Sequence, residues 1–327
     1  MFCKKAVEVF RVSTVLLCVL FCTVMFVSSC KKDQTVDSVT VQTGPNPIDS
    51  TQIDTTITGC NLHESLCDKR YNEVVYVTTH NAFNYESGPN PFQLPNQSVT
   101  ISQQLADGVR GLMIDVHLYN GTEQQFIGHP FVYHSFSALG EEPFVSNLDE
   151  IRTFLLENPK QVVTIILECY VTVDLIEWAV QQAQIEQLLF SKNPTSDWPT
   201  LQTMIDSNQR LVIFSDCNDG SALDWYHYVW DYCVETEFSN SEISDFTCDF
   251  NRGDPGNDLF ILNHFLTDPV FGTGDKTRSE EANANPYILS RAQECQATTG
   301  KLPNFLTVDF HDIGDVFEAV DSLNGVY

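Results

Sequence analysis

Basic residues are scarce in this chain: 17 lysines and arginines stand against 44 aspartates and glutamates, a formal net charge of −27. A surface of that sign repels phosphate backbones, so nucleic acid is excluded as a partner. Long apolar runs are equally scarce. The one candidate, Val12 to Val27, is too short and too near the start to make a membrane span. Internal repeats are absent, and no second linker interrupts the chain after residue 59. That leaves residues 60–327 as one large domain, expected to act as a monomer.

What is present begins with Lys4 and Lys5, the apolar run, and Ser28-Ser29-Cys30. A basic start, a short apolar core and small residues before a cut read as a secretory signal peptide over 1–29. Val27-Ser28-Ser29-Cys30 is similar to a bacterial lipobox, which makes Cys30 the first mature residue and its lipidated anchor to the membrane. Export to the outer membrane or cell surface as a lipoprotein is the expected outcome. Cleavage leaves 14 basic and 43 acidic residues, about −29. Residues 30–59 are Thr, Asp, Gln, Ser and Pro with isolated Val and Ile; such a segment buries too little apolar surface to order itself and reads as a tether. Seven cysteines follow. In an exported protein some of them pair: Cys60 with Cys67, closing a short loop, with Cys248–Cys295 and Cys217–Cys233 as further pairings and Cys169 left in the interior.

Short runs of β-branched and aromatic residues recur along the domain at 74–77, 112–114, 131–133, 162–167, 211–214, 259–262 and 305–308. Near-continuous apolarity suits strands covered on both faces. Helical patterns lie between them: one from Ser146, with Asp149 as a capping-box partner and Asn158-Pro159 as its stop, and others over 174–190, 201–206 and 287–296. Alternating strands and helices imply an α/β fold with a parallel sheet, a (β/α) TIM-like barrel that is irregular or incompletely closed. A polar residue follows each apolar run: His80, Asp115, His134, Glu168, Asp216, Asn263-His264 and Asp309. Barrel strand ends share one mouth, where the chemistry of such folds is done. The aromatics Trp225, Tyr226, Tyr228 and Trp230 read as a core helix in preference to a lipid-facing rim.

Three blocks carry a resemblance: Tyr76-Val77-Thr78-Thr79-His80-Asn81-Ala82-Phe83, Gln103 through Arg110-Gly111 to Asp115, and Tyr133-His134-Ser135-Phe136. With Val163 to Glu168, Trp198-Pro199, Asn263-His264-Phe265 and Pro303 to Phe310, their order and spacing resemble the phosphatidylinositol-specific phospholipase C X domain of the X-domain-only type found in bacteria, fungi and plants. The resemblance implies a phosphodiesterase of inositol phospholipids or glycolipids. His80 is then the base that takes the inositol 2-hydroxyl proton, His134 the acid that protonates the departing diacylglycerol oxygen, and the product a cyclic phosphate. Imidazole suits both tasks because its pKa lies near working pH. Asp309 is placed to orient His80, Arg110 is a candidate for reaching phosphate or a structural ion-pair partner, and His117, Asn263 and His264 are candidates for substrate contact. His129, five residues before His134, competes with it but lacks a strand-end position.

Phosphoryl transfer also needs a cation against the non-bridging oxygens. The resemblance implies two sources. In calcium-dependent members four positions hold Ca2+; Asn81, Asp115 and Glu168 match three of them, and the fourth is Met113, whose thioether a hard cation refuses. Metal-independent members place an arginine just beyond the second-strand aspartate, where this chain has His117. The alternatives to an inositol lipid phosphodiesterase are an enzyme acting on glycerophosphodiesters or sphingomyelin-like lipids, and a degenerate barrel that binds surface glycans or lipids.

Overall fold

The computed structural model describes residues 59–193, 195–218, 223–268 and 273–326. The signal peptide, Cys30 and all of the tether but Gly59 lie outside the described residues. Thirteen strands follow in chain order: β1 (Tyr76–Thr79), β2 (Tyr85–Ser87), β3 (Gln97–Val99), β4 (Gly111–Leu118), β5 (Pro130–Val132), β6 (Glu142–Pro143), β7 (Val163–Cys169), β8 (Leu211–Ser215), β9 (Tyr226–Tyr228), β10 (Cys233–Thr236), β11 (Phe250–Arg252), β12 (Leu259–Asn263) and β13 (Phe305–Val308). The helices are α1 (Ile101–Asp107), α2 (Phe144–Glu157), α3 (Val173–Gln182), α4 (Leu201–Asp206), α5 (Lys276–Ala282), α6 (Tyr287–Thr299) and α7 (Val316–Asn324).

The sheet order is β11-β10-β12-β13-β1-β4-β7-β8-β9. Eight of these strands, all but β11, run parallel. Among the described residues no ladder joins β9 to β10, so the curled sheet is a barrel left open at that seam. Val229–Asp231 crosses the seam in a single 3-10 turn, too short for a packing helix.

Strand periodicity sorts the core into two layers. Leu112, Ile114 and Val116 of β4, Val163, Ile165 and Leu167 of β7, and Leu306 and Val308 of β13 face outward, packed with helix residues such as Leu148, Ile151, Ile176 and Ile288. Ile166, Val212, Phe214, Ile261 and Phe305 face inward with Tyr71, Tyr76 and Trp198. This inner aromatic floor includes Tyr71 stacked on Trp198 at 4.8 Å and Tyr76 on Phe305 at 5.7 Å. Each large side chain buried in this way stabilises the fold by roughly 1.5–3 kcal/mol. The floor fills the lower barrel, so any cavity must lie above it.

Several boundaries differ from expectation. Helix α2 begins at Phe144 with no side-chain cap, because β6 pairs through Pro143 and releases the chain there; the Ser146–Asp149 box is unused. Helix α3 stops at Gln182, and Gln184 follows at φ 54°, a left-handed conformation no helix continues through. Tyr226–Tyr228 is a strand, not part of a core helix. The run at 131–133 also forms a strand, but β5 pairs antiparallel with β4 and with β6, making it part of a hairpin appended to the barrel.

Disulfides join Cys60 to Cys67 and Cys248 to Cys295. The Cys217–Cys233 pairing is overturned. Cys217 donates its Sγ–H to the Cys169 carbonyl at 2.8 Å on neighbouring β7, while the wholly buried Cys233 sits in the inner core on β10. Among the described residues no helix is long and apolar enough to cross a membrane.

Candidate active site

Above the aromatic floor the C-terminal strand ends open into a cleft. Its wider lobe, about 430 Å3, is lined by His80, Asn81, Asp115, His117, His134, Ser135, Glu168 and Tyr170, among others. A deeper lobe shares His80, Asp115 and Glu168 and adds Met113, Asp216, Trp230, Glu235, Arg252 and Asn263. Register explains the grouping: Asp115 is the partner of Glu168, and Met113 that of Ile166, on adjacent parallel strands. One pleat higher, the His117 ring lies between Tyr133 and Tyr170 at 4.1 and 4.2 Å. The Tyr170 hydroxyl donates to Glu168.

His80 follows β1 directly and its backbone N–H donates to the Val308 carbonyl at 3.0 Å. Its Nδ1 lies 2.9 Å from Asp309 Oδ1 at the end of neighbouring β13. The ring stacks on Phe265 at 3.8 Å. Asp309 is 1% exposed, and burial raises its pKa against the opposing pull of His80 and the Asn96 amide. That geometry makes the His80 Nδ1 the protonated nitrogen whenever Asp309 is charged, and leaves Nε2 to act as a base.

His134 arrives from the β5–β6 hairpin. β4 runs on past Asp115 to Leu118, and β5 returns from Pro130, opposite Leu118, to Val132, opposite Val116. The chain therefore comes back down to the level of Asp115 before His134. Burial pulls the His134 pKa down to about 4, helped by His80 and His117 and opposed by Glu168. The backbone turns sharply past each of these residues: Asn81, Ser135 and Phe310, which follow His80, His134 and Asp309, have φ of 46°, 58° and 48°. Left-handed conformations at such positions cost energy that the surrounding structure must offset.

Three further candidates separate. Asn263 lines the deep lobe and donates to Glu235 at 3.3 Å. His264 does not reach the cleft: it is fully buried, its Nε2 is 2.8 Å from the Ala282 carbonyl, and burial beside Arg291 drives its pKa down to about 3. Arg110 precedes β4, at the end of the barrel opposite the cleft; its guanidinium donates to Gln161 Oε1 and to the carbonyls of Leu105 and Val109. A catalytic role for Arg110 gives way to the structural one, because four β4 residues separate it from Asp115. Of the competing histidines, His227 is tied to the Ile213 carbonyl and His311 to Asp107 and Gln97, and His129 leans on Trp178.

Sequence patterns missed several cleft residues. Arg252 reaches the deep lobe from β11, which is antiparallel to the barrel strands. It pairs with the buried Glu235 and is sandwiched between Trp230 and Phe238 at 4.5 and 4.6 Å. Phe265 belongs to the Asn263-His264-Phe265 segment, where its ring and not the imidazole of His264 reaches the cleft. For Asn96, buried beneath the His80–Asp309 pair, no sequence signal exists.

A family model described as PI-PLC X matches residues 66–324. The chain belongs to the PI-PLC X family. A PI-PLC X domain-containing protein of Arabidopsis thaliana is 31% identical over 274 residues, covering 78% of this chain and 62% of its own length. PI-PLC X domain-containing protein 1 of Arthroderma benhamiae is 29% identical over 289 residues, covering 82% and 90%. A second Arthroderma protein, named as an uncharacterized secreted protein, is 28% identical over 302 residues and 64% covered. This PI-PLC X chain thus spans under two thirds of two of those three relatives. Phosphatidylinositol-specific phospholipases C from Staphylococcus aureus and Listeria monocytogenes share the fold, with TM-scores of 0.55 and 0.52 at 13% and 15% identity, covering 82% and 79% of this chain and 97% and 94% of theirs.

Proposed function

We propose that the chain is a phospholipase C-like phosphodiesterase that cleaves an inositol phospholipid or a glycosylated relative of it through a cyclic phosphate. The observation that carries this reading is the Asp309–His80 pair, 2.9 Å apart, facing the same cleft as His134. His80 Nε2 takes the proton of a hydroxyl adjacent to the phosphodiester; the oxygen attacks phosphorus, and His134 protonates the departing alcohol oxygen. His134 must be charged for that step, and its pKa of about 4 in the open cleft works against it. A phosphodiester anion seated beside the ring favours the imidazolium and lifts that pKa toward working pH. Phe136, Tyr170 and Phe238, respectively 70%, 45% and 41% exposed around the mouth, give an apolar edge suited to a lipid substrate.

Asp115 and Glu168 face the position a phosphate would take, and two carboxylates there repel it unless a cation intervenes. The donor set fits Ca2+ in part. Asn81 gives its amide nitrogen to Asn96, which turns its carbonyl oxygen to a ligand, and Asp115 and Glu168 are paired in register. Among the described residues no three His, Cys, Asp or Glu side chains converge as a metal centre, and Met113 offers no oxygen. Asn81, Asp115 and Glu168 would hold the ion, with water and substrate oxygens completing its shell. When bound, the ion offsets charge on the non-bridging oxygens. We infer an exported, membrane-tethered protein for the same reason that the sequence does, with two disulfides as support.

The test is incubation of the full chain with phosphatidylinositol vesicles in calcium or chelator, with sphingomyelin vesicles and a glycerophosphodiester in parallel, followed by phosphorus NMR. A cyclic inositol phosphate is expected. Choline phosphate from sphingomyelin, or glycerol phosphate as the product, moves the activity to the alternative substrates; activity indifferent to chelator removes calcium.

A further inference from the structure

Asn96 lies just before β3, on the excursion between β1 and α1, and is fully buried. Its backbone is pinned at both ends: the N–H donates to the Asn84 carbonyl, and the carbonyl accepts from Phe310 N–H, each at 2.8 Å. The side chain therefore has little freedom. Its Nδ2 donates to both Asp309 oxygens at 3.1 Å. Its Oδ1 accepts from Asn84 Nδ2 at 2.6 Å and Asn81 Nδ2 at 3.2 Å. The two carboxylate oxygens lie too close together to take separate N–H bonds of one amide, so a single N–H is shared between them, while both acceptor lone pairs of Oδ1 have partners. The backbone of Gly274 closes over the pair; a Cβ there would lie 2.7 Å from Asp309 Oδ2 and 3.0 Å from Asn96 Nδ2.

We infer that Asn96 is a positioning residue that ties the base to the cleft wall, holding the Asp309 carboxylate in place beneath His80 and turning the Asn81 side-chain oxygen toward the cleft. The two roles follow from one orientation. With Nδ2 on the carboxylate, Oδ1 must face Asn81, and Asn81 must then offer its nitrogen inward and its oxygen outward. An N–H shared by both oxygens also opposes the desolvation that would protonate Asp309, and a protonated Asp309 could not select the Nδ1–H tautomer of His80. Among the described residues the titratable group facing the Asp309 carboxylate is His80; its other neighbours, Asn96 and Gly274, do not titrate. This assignment rests on the proposed phosphodiesterase reading.

The experiment pairs Asn96→Asp with Asn96→Ala. The aspartate keeps the shape and an acceptor for Asn81 and Asn84 but replaces the donors facing Asp309 by a second carboxylate. Like charges so close share a proton on acidification, and a shared proton restores a hydrogen bond to Asp309. We expect kcat to fall about tenfold to a hundredfold in both variants with little change in KM. Activity of Asn96→Asp should recover as pH is lowered, relative to wild type, and that of Asn96→Ala should not. The readout independent of turnover is the imidazole nitrogen shifts of His80 at one fixed pH, which report its Nδ1 hydrogen bond to Asp309 and should change in both variants. Imidazole nitrogen shifts of His80 identical to wild type in both, with the aspartate variant's pH profile parallel to wild type, overturn the assignment. Wild-type protein that fails to cleave phosphatidylinositol sinks the functional reading alone, since the His80 imidazole shifts still decide the role of Asn96.

Discussion

The two histidines facing the cleft are held in different ways. His80 is built into the barrel: its backbone is bonded to β13, its ring lies on Phe265, and a buried carboxylate and two amides stand behind it. His134 comes from an appended antiparallel hairpin of three-residue and two-residue strands, and it is followed by Phe136, the most exposed large apolar side chain among the described residues. On the proposed assignment the base sits on the rigid scaffold, while the acid sits on the appended hairpin. A base needs a fixed tautomer, which demands a second residue at fixed distance. An acid that takes its charge from the arriving substrate needs access more than support.

The largest expected effect breaks the pair apart by leaving group. His80→Ala and His134→Ala should each lower kcat/KM on a lipid substrate by about 10²–10⁴. On an inositol phosphodiester with a good leaving group such as nitrophenolate, the alcohol needs no proton, so His134→Ala should recover most of its activity while His80→Ala stays impaired. Equal losses on both substrates would mean that the acid and base assignments are wrong or reversed.

The same contrast shows what was legible in the sequence. His80, Asp115, Glu168 and Asp309 each follow or end a run of apolar residues whose inward and outward neighbours alternate, and parallel strands in register bring such ends together. His134 also follows an apolar run, but nothing in Phe131-Val132-Tyr133 distinguishes a hairpin strand from a barrel strand; that difference is set by partners far along the chain. Arg110 and His264 drew attention by residue type, and both are consumed by backbone carbonyls that only the fold supplies. Arg252 and Asn96 were hidden because their roles depend on β11 and the β1–α1 excursion, neither of which carries a motif.

A smaller effect separates the histidines by pH. His134 has a folded pKa of about 4, below its ordinary 6.5. Its neutral form is therefore favoured by folding, and that contribution is fully present above pH 6.5 and lost as pH falls through 4, amounting to about 3 kcal/mol at most. Urea unfolding of wild type and His134→Gln between pH 7 and 4 should show stability curves that converge or cross as the solution is acidified. Parallel curves would place His134 in solvent, contrary to its burial in the cleft.

The smallest effect on turnover is expected at the opposite end of the barrel, where Arg110→Met sharpens the distinction between cleft and floor. Methionine fills much of the aliphatic volume beside Phe154, over which the guanidinium lies at 4.9 Å. It leaves Gln161 Oε1 and the Leu105 and Val109 carbonyls without their donors, and orphaned buried acceptors cost about 1–3 kcal/mol in total. For a domain of this size each kcal/mol moves Tm by about 2–4 °C, so a calorimetric decrease of several degrees is expected with kcat/KM at 25 °C unchanged. A loss of kcat/KM above tenfold at unaltered Tm would return Arg110 to the phosphate, which its hydrogen bonds oppose: every partner it has lies below β4, and the strand itself stands between it and Asp115.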